Sequence, residues 1–275
     1  MVHTNEASSG ASPSLSGSPR AAISPRDGGV FWVRAALLAV VASLMAWPAL
    51  LVIDGKFPVE NLSVEMTNLI RNNRNDPVAW AQERMNRWTS LAKTASICLA
   101  AFGGVFVGLA SARDEATRRW SLRKFLAGVG FGAGAGILGG LAEATLVVRL
   151  ERLVSDRLLL SAMGHAVGWA FLATALVLML GMSRPSPARW LTRLLEGVGG
   201  AVVASLVYAV VAAVAFPMLR SDLPIPEGAL NKLVFLLVAS GVMGSVCLRP
   251  GRHALAESAS VASMEVLLTQ NIATS

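Results

Sequence analysis

Two ionisable side chains sit in stretches that otherwise carry almost no charge. Glu143 lies in Leu141-Ala-Glu-Ala-Thr-Leu146, and His165 in Met163-Gly-His-Ala-Val-Gly168. An ionisable group among apolar residues is a functional candidate, because an unpaired charge is costly away from water. A carboxylate and an imidazole together can hold and pass on a proton, and a carboxylate can also bind a cation. Each residue has a structural reading beside the chemical one. Glu143 falls within a turn or two of a segment end, where Arg149 or Arg152 would pair with it. A lone His on a small-residue face commonly bonds a neighbouring backbone group or hydroxyl. These structural outcomes are the commoner ones for such residues.

Little else in the chain suggests reaction chemistry. Ser161 stands four residues before His165, one helical turn, but no oxyanion motif accompanies it. Glu196 beside Arg193 reads as an interfacial ion pair, and Tyr208, the single tyrosine, as a packed aromatic. The sequence contains no HExxH, GxSxG or GxxxxGK[ST] pattern. The Gly-rich run from Gly128 to Gly134 lies within an apolar helix, so a phosphate-cradle reading lacks its strand. His3 and His253 have no ligand partners at metal spacing. Cys98 and Cys247 read as small buried hydrophobes, which excludes a disulfide framework. No catalytic residue, metal or cofactor is therefore expected, and the chain is expected not to be an enzyme.

The elements that carry these residues are long and apolar. The chain is 54% hydrophobic and only 15% charged, against about 25% charged in soluble domains. Its mean hydropathy is +0.56. The charge deficit is concentrated in six stretches, at about 35–53, 94–112, 125–148, 158–182, 194–216 and 229–248. Each can cross a hydrocarbon core of about 30 Å as a helix. The expected fold is thus an all-α, polytopic transmembrane helix bundle whose partner is the lipid bilayer.

Local signals fill in the rest of the chain. Residues 1–30, rich in Ser, Pro, Gly and Ala, read as a disordered tail, and residues 251–275 as a polar C-terminal tail. The transmembrane domain occupies 31–250. Pro48 is expected to bend or end the first helix late. Asp76-Pro77 is a helix start signal, and Val78, Ala81, Met85 and Trp88 follow on one face. That predicts an amphipathic helix over 76–92, either lying in the membrane interface or packed on the protein itself. Lys232, at the start of the last span, is expected to snorkel to the interface.

Small residues recur at every fourth position. Gly128, Gly132, Gly136 and Gly140 form the clearest row. In a soluble helix each Gly costs about 1 kcal/mol relative to Ala; in lipid, small faces let helices approach closely. Similar rows run through Ser96, Ala100, Gly104, Gly108 and Ala112, and through Gly197, Ala201, Ser205, Ala209 and Ala213. They predict either packing within one subunit or association with a second copy or a membrane-protein partner. The first is the simpler expectation, since several such faces occur in one chain.

A two-span repeat is also expected. Arg119-Trp120-Ser-Leu-Arg123 leads into Gly128-Val-Gly130, and Arg189-Trp190-Leu-Thr-Arg193 into Gly197-Val-Gly199. Two spans per unit return the chain to the same side. The basic clusters 113–124, 184–193 and 249–252 then share one compartment and hold ten Lys and Arg, against four in the opposing short connections. The positive-inside rule makes that side, and both termini, cytoplasmic. The net charge of +7 is explained by these loops, so nucleic-acid binding is not expected. The leading expectation is a non-enzymatic packing or assembly component of a membrane. The alternative is a transporter or channel for a small solute or ion, with Glu143 and His165 on the path.

Overall fold

The computed structural model describes residues 25–56, 77–112, 119–151, 153–181, 190–221 and 223–248. Among them the regular elements are all helices: α1 (Pro25–Lys56), α2 (Pro77–Ser111), α3 (Leu122–Leu150), α4 (Arg157–Gly181), α5 (Trp190–Ala215) and α6 (Ala229–Cys247). All six are long and apolar enough to cross a membrane. Most of both expected tails lies outside the described residues. So do the first connection (57–76), His3 and His253, and the basic residues at 113, 118, 152, 184, 189, 249 and 252.

Two helices are longer than their sequence signals suggest. α1 begins at Pro25, within the stretch expected to be tail, and Pro is favoured at a first helical position. It also runs through Pro48 to Lys56 instead of stopping there. Loss of one backbone N–H is tolerated where a span packs on its neighbours. Here the Trp47 indole donates to the Ala229 carbonyl at 2.8 Å. Ser43 and Ser240 share a hydrogen bond at 3.1 Å, and Ser240 also donates to the Ala39 carbonyl.

The amphipathic segment and the second span are a single helix, α2. Its 35 residues extend about 52 Å, well beyond a hydrocarbon core. Of the expected apolar face, Val78, Ala81 and Met85 are exposed, and contact with the protein begins at about Arg87 and Trp88. Trp88 donates to Thr145 at 3.0 Å, Arg87 pairs with Glu151 at 2.7 Å, and Leu91 and Ala92 pack with Ala144 and Leu223.

α2 and α3 lie in backbone contact along the glycine row. A Cβ on Gly136 would fall on the Leu99 carbonyl, one on Gly132 on the Gly103 carbonyl, and one on Gly140 on the Ser96 backbone. A Cβ on Gly128 would strike Ser111, whose hydroxyl donates to the carbonyls of Val107 and Lys124. The register on α2 differs from the expected row. Gly103 makes the closest approach, whereas a Cβ on Gly104 would sit at an ordinary 3.4 Å from the Val129 carbonyl. At 3.6 residues per turn a row of fours drifts around the helix, so the crossing selects neighbours three or four apart.

Successive helices pack side by side from α2 to α6. Ala201, Ala204, Ser205, Tyr208, Ala209 and Ala212 turn the small face of α5 inward. Gly197 meets Val177 and the Ala173 carbonyl of α4. The interior contains Phe102 stacked on Phe106, Leu172, Leu176, Phe235 and Met243, and both cysteines, Cys98 and Cys247, are buried. The outward side chains are apolar as well: Leu37, Val41 and Leu44 on α1, Phe131 and Leu138 on α3, Val203 and Val210 on α5. Water would not tolerate so continuous an apolar exterior; hydrocarbon does.

Candidate functional site

The site begins at a second glycine contact, between α3 and α4. A Cβ on Gly139 would lie 2.8 Å from the Gly168 carbonyl. One turn further along α3 is Glu143. Gly164 and Gly168 leave a notch on α4, and the Glu143 carboxylate fills it: a Cβ on Gly168 would collide with Oε2. His165 stands between these two glycines on the same helix. Its Nδ1 lies 2.7 Å from Glu143 Oε1, with the two side chains 1% and 0% exposed. The structure thus brings together the two ionisable residues singled out in the sequence. Glu143 pairs with His165 instead of the expected Arg149 or Arg152; Arg152 lies outside the described residues.

The other imidazole nitrogen defines the proton count. His165 Nε2 is 3.1 Å from the Ser221 carbonyl oxygen. A carbonyl can only accept, so Nε2 carries a proton. The Nδ1–Oε1 bond then needs one more proton, on either nitrogen or oxygen. An imidazolium with a carboxylate and a neutral imidazole with a carboxylic acid both satisfy it. The closed arrangement therefore holds one shared proton and no net charge.

Aromatic rings seal the imidazole. Trp169 stacks on it at 5.7 Å and 15°, while Tyr208 and Phe235 meet it edge-on at 5.2 and 5.0 Å. The Tyr208 hydroxyl donates to Asn231 Oδ1 at 2.9 Å. Asn231 and Lys232 are both buried in the first turn of α6, so Lys232 does not snorkel outward as expected. The segment that precedes α6 lies over part of the bundle, with Leu223 packed among Leu91, Ala92 and Ala144. Glu143 Oε2, Trp169 Nε1 and Asn231 Nδ2 are buried without a hydrogen-bond partner among the described residues.

The segment preceding α6 is the loop 216–228, in which Leu223 and Ile225 turn inward. Its ends are tied together. Glu227 N–H donates to the Arg220 carbonyl, and Arg220 N–H to Glu227 Oε2, each at 3.0 Å. Gly228, at φ +83°, turns the chain into α6 in a conformation that favours glycine. The Ser221 carbonyl at the loop's apex receives two bonds, from His165 and from the Ser161 hydroxyl at 2.8 Å. Ser161 thus gives its proton to the loop backbone and does not act as a nucleophile paired with His165.

The remaining candidates lie apart from this centre. Gly128, Gly132, Gly136, Gly140 and Gly108 serve the α2–α3 contact, and Gly197, Ala201 and Ser205 the inner face of α5. Arg193 and Glu196 form a surface pair at 3.8 Å. No cluster of three or more His, Cys, Asp or Glu that could hold a metal occurs among the described residues. Sequence reasoning missed the Ser221 carbonyl, which has no side-chain signal, and Gly139, which falls outside the row of fours. No protein family, curated protein or solved structure matches the chain, and the site is read from its geometry alone.

Proposed function

We propose that this chain is a proton-coupled transporter of a small solute or ion, with the Glu143–His165 pair as its proton-binding centre. One observation carries the reading: the bond at 2.7 Å between two side chains almost wholly removed from solvent. Two ionisable groups sealed in an apolar bundle are costly to bury and contribute little net stability over an apolar replacement. Such groups inside spans mark ion and proton paths. In this reading the basic clusters and both termini face the cytoplasm, and the loop 216–228 faces the opposite side. The two-span repeat fits the same picture, since Gly128 seats on α2 as Gly197 seats on α4.

The test is proton movement in vesicles holding a pH-sensitive dye. An imposed pH gradient should collapse faster with the wild-type chain than without it. Glu143→Gln should slow that collapse at least tenfold, while Glu196→Gln, at an exposed carboxylate, should leave it unchanged. Equal rates for wild type and Glu143→Gln would overturn the reading.

The packing and assembly role is a second reading, supported by the outward face of α3. Gly130 and Gly134 have nothing within 4 Å of a Cβ position, so a second copy or a membrane-protein partner has a small-residue surface to meet. Loss of oligomer size in Gly130→Leu, with the monomer still folded, would favour it.

A further inference from the structure

We infer that residues 216–221 and 223–228 form a proton-locked latch: the bond from His165 Nε2 to the Ser221 carbonyl survives only while the Glu143–His165 pair keeps both of its protons. This inference rests on reading the pair as a proton-binding centre, and it adds what that proton controls.

In the closed state Nε2–H donates to the Ser221 carbonyl, and a proton lies between Nδ1 and Glu143 Oε1. When the pair loses one proton, a single N–H remains for two acceptors. It cannot serve both. The carboxylate is charged and buried, and an N–H bond to it is stronger than one to a neutral carbonyl. Leaving that carboxylate unpaired in the bundle would also be the more costly outcome. The remaining proton therefore stays on Nδ1. The released proton is the one on Nε2, the nitrogen that faces the loop, and the pair is left with a charge of −1. The Nε2 lone pair then points at the Ser221 oxygen, and the two repel. Among the described residues, the other bond to this carbonyl comes from Ser161.

Other titratable and charged groups lie around the pair. Tyr208 touches the imidazole, but its hydroxyl is committed to Asn231. Cys98 on α2 and Lys232 on α6 are buried, and the Glu227 carboxylate accepts from the Arg220 backbone N–H within the loop. The exposed Arg149, Asp156 and Arg157, with the Arg87–Glu151 pair, lie further along the ends of α3, α4 and α2. Asp222 is outside the described residues. By linkage, a closed loop that requires the proton must bind it more tightly than an open one, and deprotonation must favour opening.

Spin labels at Met218→Cys in the loop and Leu153→Cys at the α3–α4 turn, both highly exposed positions, report the distance across the latch in nanodiscs. No pH gradient is applied, so the result does not depend on proton flux. Raising the pH should convert a single short distance into a longer one. Glu143→Gln keeps a hydrogen-bond partner for Nδ1 without a proton to lose, and should hold the short distance throughout. Ser161→Ala removes a proton-independent latch bond. It should lower the closed-to-open ratio about tenfold and move the midpoint down by about one pH unit. A wild-type distance that ignores pH, or the same transition in Glu143→Gln, would overturn the latch even if vesicles carrying the protein move protons. A pH-dependent latch in vesicles that move none would uphold it and reject only the transport reading.

Discussion

Gly136→Leu should lower stability by at least about 3 kcal/mol, while Gly134→Leu, two residues away on the same helix, should change it by less than about 0.5 kcal/mol. The two glycines differ only in where they point. A Cβ at position 136 would land on the Leu99 carbonyl and the Ala100 amide, which are backbone atoms of α2 that no rotamer change can move. A Cβ at position 134 meets nothing within 4 Å. Alanine sharpens the contrast. Gly134→Ala should be neutral or gain up to about 1 kcal/mol from better helix propensity, and Gly136→Ala should lose stability despite the same gain. Unfolding of the purified variants in mixed detergent micelles measures both pairs. Equal effects at 134 and 136 would mean that α2 and α3 do not meet through this row.

His165→Ala should cost about 3–5 kcal/mol, the range for removing one partner of a buried pair. Glu143 then remains in its notch with neither oxygen bonded among the described residues, since Oε2 already lacks a partner there and Oε1 loses its only one. The double variant Glu143→Leu/His165→Leu should recover much of that loss, because apolar replacement of both partners removes the buried charge itself. The same unfolding assay in a double-mutant cycle reads the coupling. If the double variant were as unstable as the sum of its single changes, the two side chains would not be acting on each other.

Much of the architecture was legible because hydrocarbon imposes simple rules on a chain. The six apolar stretches became six helices, since a backbone in lipid must satisfy its own hydrogen bonds. Helix ends were harder to read. No Gly or Pro interrupts the chain between Trp88 and Thr94, so the amphipathic segment runs on into the second span as α2. At Pro48 a breaker was present and did not break the helix. The row Gly128, Gly132, Gly136 and Gly140 announced a close contact, yet not its register. Gly103 instead of Gly104 receives Gly132, because the crossing of two helices is not written in either one alone.

The candidate site was legible to the same degree. Glu143 and His165 stood out as charges among apolar residues, but they are separated by a turn and most of two helical turns on each side. Their meeting depends on the contact of Gly139 with Gly168. The third member, the Ser221 carbonyl, is a backbone group, and backbone groups carry no residue-type signal. Lys232 was misjudged for a related reason. Snorkelling assumes open interface at the helix end, whereas Lys232 in the first turn of α6 is buried within the bundle.

The most direct test of the account is nitrogen NMR of His165 in lipid bilayers, with the imidazole isotopically labelled and the other two histidines replaced. We expect Nε2 to carry a proton that is slow to exchange. We expect Nδ1 to share a second proton with the Glu143 carboxyl, a signature that vanishes in Glu143→Leu while Nε2 remains protonated. An imidazole whose two nitrogens exchange rapidly with water and respond identically in wild type and Glu143→Leu would contradict the pairing on which both the transport reading and the latch depend.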